Sequence, residues 1–155
     1  ALKILAEKAG IYGMIGGQVV DVASCGVGLD EGMLNFIYEL KTGALIESSM
    51  MIGALLAGAE DAELEKVQKI ASDVGIAFQI QDDILDVTST TEELGKPVHS
   101  DEKNEKTTYV TLKGLEKATR DVEVISQEAL ELLSGLDREN AYLTQLIREL
   151  IHRKK

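Results

Sequence analysis

Gln79, Asp82, Asp83 and Asp86 stand at i, i+3, i+4 and i+7 within FQIQDDILDV (residues 78–87), a segment otherwise filled by apolar side chains. Those offsets define one face of an α-helix, normally the apolar face that enters a core. Here that face is polar, while Ile76, Ile80, Ile84, Leu85 and Val87 occupy the rest of the helix. Asp is a poor helix former and is rarely buried without a partner. A solvated face would use Lys and Glu instead. Asp82 and Asp86 lie one turn apart, where like charges destabilise a helix unless a cation neutralises them. The stripe is therefore either a solvated acidic face or a ligand set for a hard cation. Oxygen donors alone favour Mg²⁺ over metals that seek thiolate or imidazole. Such an ion usually shares its shell with substrate phosphates, which need basic residues nearby. Lys41 in LKTGA, Lys96 in LGKPV and Lys106 in NEKTTY are available.

The rest of the chain reads as helix. Only Pro97 interrupts 155 residues, and apolar positions recur with helical period through most of them. The spacing predicts a first helix over residues 1–22, continuing through its glycines. Asp30 is placed as N-cap of a long helix over 31–57, closed by Gly58. Asp61 is expected to cap a helix over 62–87. Polar residues with Gly95 and Pro97 mark a loop over 88–106. A helix over 107–133, broken near Gly114, precedes Gly135. Asp137 then caps a last helix ending near Ile151. This is one all-α domain, or one part of one. Small residues at Gly43, Ala44, Ser48, Gly53, Ala54 and Ala57 predict close helix–helix approach, because a helical Gly costs roughly 1 kcal/mol against Ala. ALKILAEKAG opens in mid-pattern without a cap, so Ala1 is expected to lie inside a longer protein.

A net charge of −11, from 27 acidic and 16 basic residues, argues against nucleic acid or an anionic membrane surface as partner. The apolar run over residues 50–59 is too short to span a bilayer. Cys25 is the single cysteine, which excludes an internal disulfide framework and suits a reducing compartment such as the cytoplasm. With no base beside it, Cys25 is expected to pack rather than react. Glu149 and His152 form an E-x-x-H of the kind that holds di-iron centres in four-helix bundles. His99, the one other histidine, has Lys96 three residues before it. Glu149 and His152 are therefore read as a solvated helix end, where His152 and Arg153 complement the dipole.

Four segments in order, GMIGGQVVDV, YELKTGALIESS, AFQIQDDILDV and ELGKPVHSDEKNEKTTYV, resemble the trans-isoprenyl diphosphate synthases of the polyprenyl synthetase family, most nearly those making farnesyl and geranylgeranyl diphosphate. The resemblance covers essentially the whole chain and implies the C-terminal half of the isoprenoid-synthase helical bundle. By that resemblance Asp82, Asp83 and Asp86 would be the second aspartate-rich motif, D-D-x-x-D, holding Mg²⁺ on an allylic diphosphate. Lys41 would contact that diphosphate and Thr42 its reacting end, with Asp82 the third catalytic residue. Lys96 and Lys106 would add positive charge, Gln18 and Asp21 match G-Q-x-x-D on a facing helix, and Phe78 with Gln79 would line the reaction centre.

The implied reaction condenses the allylic diphosphate with isopentenyl diphosphate into a longer trans-prenyl diphosphate. Homodimers are the habit of the family. Val110 stands where the family usually has Pro, a departure expected to touch a helix start. The first aspartate-rich motif and the isopentenyl site have no counterpart in residues 1–155, and product length is set largely beside that motif. A non-catalytic partner subunit is the rival reading, disfavoured because all three stripe aspartates are kept.

Overall fold

Apolar periods broken by glycine set the length of each element. The computed structural model describes residues 1–90, 106–151 and 153. Its elements are α1 (Leu2–Ala9), α2 (Met14–Ala23), α3 (Glu31–Ile37), a π-helical turn (Tyr38–Gly43), α4 (Ala44–Leu56), α5 (Asp61–Thr88), α6 (Tyr109–Lys113), α7 (Leu115–Ser134) and α8 (Ala141–Ile151). No strand occurs among the described residues, and the protein is all-α as expected. The long α5 is the axis. Its buried Ile70, Val74, Ala77, Ile80 and Ile84 follow the helical period and form one core with Ala118, Val122, Ala129 and Leu133 of α7. Ile147 and Ile151 of α8 close that core. Each large aliphatic side chain so buried contributes about 1.5–3 kcal/mol of transfer free energy.

The helix predicted over residues 1–22 is two helices. The chain turns through Gly10–Gly13, where a Cβ on Gly13 would lie 2.0 Å from the Lys8 carbonyl oxygen. Glycine there allows a turn that any side chain would block. Residues 31–56 run on as one helical rod, and Asp30 caps it by accepting the Met33 amide at 2.8 Å. Gly58, at φ 84°, turns the chain after α4. Asp61 opens α5 as its first residue rather than capping it, an anion well placed on the helix dipole. The break at Gly114 is real, with φ 80°. Asn140, not Asp137, caps α8, its side-chain oxygen accepting the Leu143 amide at 2.9 Å. Val110 does no harm to the start of α6, because Thr108 and Thr111 form a reciprocal capping box around it.

Close approach is confined to a few glycines. A Cβ on Gly17 would fall 2.4 Å from the Lys41 backbone nitrogen, and one on Gly75 would fall 2.8 Å from Gly43 Cα. Gly53, expected to serve the same purpose, has nothing within 4 Å. The α2 and α5 backbones thus press on the π-helical turn from two sides. Cys25 is exposed rather than packed.

Candidate active site

The site is built around that turn. Its wider i→i+5 bonding sets Lys41 and Thr42 between α2 and α5. Asp21 lies one helical turn past Gly17, and its Oδ2 receives Lys41 Nζ at 2.6 Å. Lys106 Nζ reaches both carboxylate oxygens of Asp21 at 3.3 Å. Gln79 lies one turn past Gly75, and its side-chain oxygen accepts the Thr42 hydroxyl. Two glycines therefore place four polar side chains.

Burial raises the Asp21 pKa, but the Lys41 hydrogen bond and the charges of Lys106 and Lys41 outweigh it, so Asp21 sits below the ordinary 3.8. Its contribution to stability is thus complete above its unfolded pKa and is lost as pH falls through the lower folded value. At neutral pH the cluster is one anion between two cations.

The stripe on α5 divides. Asp21, Lys41, Gln79, Asp82, Asp83 and Lys106 border one cavity of about 120 Å³. Asp83 was expected among the metal ligands, but it is buried and its Oδ2 accepts both the Tyr38 hydroxyl and the Tyr109 amide, the latter at 2.7 Å. It stands about 100° round the helix from Asp82, which aims it at the π-helical turn and α6. There it ties α5 to both segments. Asp86 is also buried, one turn past Asp82.

Asp83→Ala would leave the Tyr38 hydroxyl and the Tyr109 amide without this acceptor. We expect a loss of about 3 kcal/mol, since an unsatisfied buried group costs about 1–3 kcal/mol. Denaturant midpoints check this against Asp83→Asn, which keeps an acceptor and should lose clearly less. Wild-type stability in the alanine variant would refute the structural role.

Asp82 faces a partner that sequence reasoning placed elsewhere. Arg153 Nη2 donates to Asp82 Oδ1 at 2.9 Å, and its guanidinium carbon lies 3.6 Å over the Phe78 ring. Arg153 is therefore not a solvated helix end. From just past α8 its long side chain reaches α5, a contact between residues 71 apart that no local pattern could reveal. Burial lowers its pKa and Asp82 works against that, so it stays a cation.

Gln18 lies exposed on α2, outside the cavity. Lys96, His99 and His152 lie outside the described residues. Tyr38 was missed as the anchor of Asp83, although a tyrosine inside an apolar helix usually finds a partner for its hydroxyl.

The sequence and the fold match known proteins. The sequence fits the Polyprenyl synthetase family over residues 1–149. The chain belongs to the polyprenyl synthetase family. It is 42% identical over 142 residues to a chloroplastic geranylgeranyl pyrophosphate synthase of Capsicum annuum, an overlap of 91% of this chain and 38% of that protein. A geranylgeranyl diphosphate synthase of Cyanophora paradoxa is 38% identical over 157 residues, covering 98% of this chain and 52% of its own. The structure of a geranyltransferase from Helicobacter pylori, complexed with magnesium and isoprenyl diphosphate, superposes at TM-score 0.80 with 35% identity, over 97% of this chain and 49% of that one. Heptaprenyl diphosphate synthase from Staphylococcus aureus, at TM-score 0.89 and 22% identity, shares the fold. The chain spans 38% to 52% of the length of the two curated relatives described.

The donor chemistry suits magnesium. Asp82 and Asp86 offer hard oxygens one turn apart, and thiolate and imidazole do not take part in the stripe. Among the described residues no three Asp, Glu, His or Cys side chains converge as a metal centre. No helix among them is long and apolar enough to cross a membrane.

Proposed function

We propose that this chain is the C-terminal part of a trans-isoprenyl diphosphate synthase. The enzyme would condense an allylic diphosphate with isopentenyl diphosphate into a longer trans-prenyl diphosphate, farnesyl or geranylgeranyl. The observation that carries the reading is the convergence of Lys41, Lys106, Gln79 and Asp82 on one cavity, with Thr42 bonded to Gln79. Lysines, a hydroxyl–amide pair and an ion-binding carboxylate are what an ionising diphosphate ester needs. Asp82 and Asp86 would hold Mg²⁺, which when bound supplies fixed positive charge to the departing diphosphate.

Lys41 and Lys106, parked on Asp21, would turn to the diphosphate oxygens and donate charge-assisted hydrogen bonds that strengthen as the leaving group gains charge. As the allylic C–O bond breaks, the Thr42 and Gln79 oxygens face the allylic carbon and stabilise its positive charge. The isopentenyl double bond then forms the new C–C bond, and the proton it releases passes to the freed diphosphate. This scheme uses no side-chain general base. A non-catalytic partner subunit would have no use for Lys41, Thr42 and the aspartates together.

Outside these residues the reaction needs an isopentenyl site and further ion ligands, which we assign to the portion of the enzyme preceding this chain. Two facts support that. The chain spans only 38% to 52% of the two relatives' length, and Tyr12, Ile15, Val19 and Val22 form an exposed apolar stripe on and beside α2 of the kind that another helix covers. Homodimerisation of the complete enzyme and a cytoplasmic, reducing setting belong to the same reading, the latter on the unpaired Cys25.

The test is an assay with labelled isopentenyl diphosphate, an allylic diphosphate and magnesium. The complete protein should form prenyl product and residues 1–155 alone should not. Lys41→Ala in the complete protein should raise the allylic KM and lower kcat together, costing roughly ten- to a hundredfold in kcat/KM for one charge-assisted hydrogen bond. Product from residues 1–155 alone would overturn the division of labour. No product from the complete protein would overturn the function.

A further inference from the structure

Ile147 and Ile151, each 1% exposed, fix α8 in the core. Just past it, the Arg153 carbonyl oxygen accepts a 3.4 Å hydrogen bond from the Gln81 side-chain amide, so α5 itself holds the backbone that carries the guanidinium. The side chain then makes two more contacts, with the Asp82 carboxylate at 2.9 Å and the Phe78 ring at 3.6 Å. It is 15% exposed, against 38% for Asp82. A surface ion pair rarely has this support. Lys41 and Lys106 meanwhile point at Asp21.

We propose that Arg153 is the internal counter-ion of Asp82 when no metal is bound, and that magnesium and the Arg153 guanidinium compete for the same carboxylate. This deepens the proposed function and rests on Asp82 being a metal ligand. Both cations would draw on the Asp82 carboxylate, and at contact distance they would repel each other. Arg153 thus holds Asp82 in place in the empty site and weakens binding of metal alone. A metal arriving with a diphosphate brings compensating negative charge, to which a displaced guanidinium can also respond. Coupling is reciprocal, so metal binding must loosen Arg153 by the same factor by which Arg153 weakens metal binding.

Binding of Mn²⁺ as a stand-in ion, followed by electron paramagnetic resonance on the complete, substrate-free protein, reads this directly. Arg153→Gln should bind Mn²⁺ roughly tenfold more tightly than wild type, within the usual range of such couplings. Arg153→Lys, which keeps the charge, should stay near wild type. In an Asp82→Asn background the Arg153→Gln effect should vanish. A second measurement needs no variant: the Arg153 side-chain Nε–Hε resonance should shift toward its solvent-exposed position as Mg²⁺ is added. Equal or weaker Mn²⁺ binding by Arg153→Gln, or an Arg153 resonance indifferent to saturating Mg²⁺, would overturn the competition while leaving Asp82 a ligand. Mn²⁺ affinity unchanged by Asp82→Asn alone would overturn the metal reading of Asp82, and the inference with it.

Discussion

Asp82→Ala in the complete protein is expected to lower kcat roughly a thousandfold while moving stability by less than about 1 kcal/mol. The reason for the first figure is that a metal ion stabilises a developing charge by several kcal/mol, and each 1.36 kcal/mol lost is tenfold in rate. An ion held by the remaining carboxylate and substrate oxygens alone would be misplaced against the leaving group. The reason for the second is position. Asp82 is 38% exposed, so solvent screens its side of the ion pair with Arg153. Removing it also relieves repulsion with Asp86 one turn away. Asp83→Ala should show the opposite pattern, with stability falling first. Steady-state kinetics and thermal melts of the two variants decide the matter. Near-normal turnover in Asp82→Ala would refute its role as a ligand.

Gly75→Val should be damaging to both stability and activity, and for a backbone reason. Even a Cβ at this position would sit 2.8 Å from Gly43 Cα, and the atom it meets is main chain, which cannot swing aside. Valine adds two methyl groups to that conflict, at a buried position of α5. Overpacking of this kind costs about 1–3 kcal/mol or more, well above the fraction of a kcal/mol by which Val exceeds Gly in helix propensity. Relief requires α5 to move off the π-helical turn. That movement separates Gln79 from Thr42 and changes where Lys41 points, so we expect kcat/KM to fall at least tenfold even in the fraction that stays folded; a shift of about 1 Å at a positioning residue can cost a hundredfold. Gly53→Val is the control, since a Cβ there meets nothing within 4 Å. Equal effects from the two substitutions would mean that close approach at Gly75 does not organise the site.

Helical period alone defined the all-α class, the extent of the rod over residues 31–56, the break at Gly114 and the core face of α5, because each depends on side chains within a few residues of one another. The resemblance carried by four motifs pointed to the family. Local reasoning failed where an outcome depended on what lay across the fold. Gly10 and Gly13 in a helical pattern could have ridden inside a helix like Gly17, and only the turn between α1 and α2 distinguishes them. Gly53 and Gly75 look alike in sequence; one faces open space and the other another helix backbone. Asp82 and Asp83 are adjacent, chemically identical and border one cavity, yet one residue of helical rotation pairs the first with Arg153 and the second with Tyr38 and Tyr109. Arg153 reads as a helix-end cation until α8 is docked, and then it stacks on Phe78. Residue type and period are properties of the chain, so sequence determined which elements form. Which oxygen meets which cation is a property of packing between elements, and only the tertiary structure decided it.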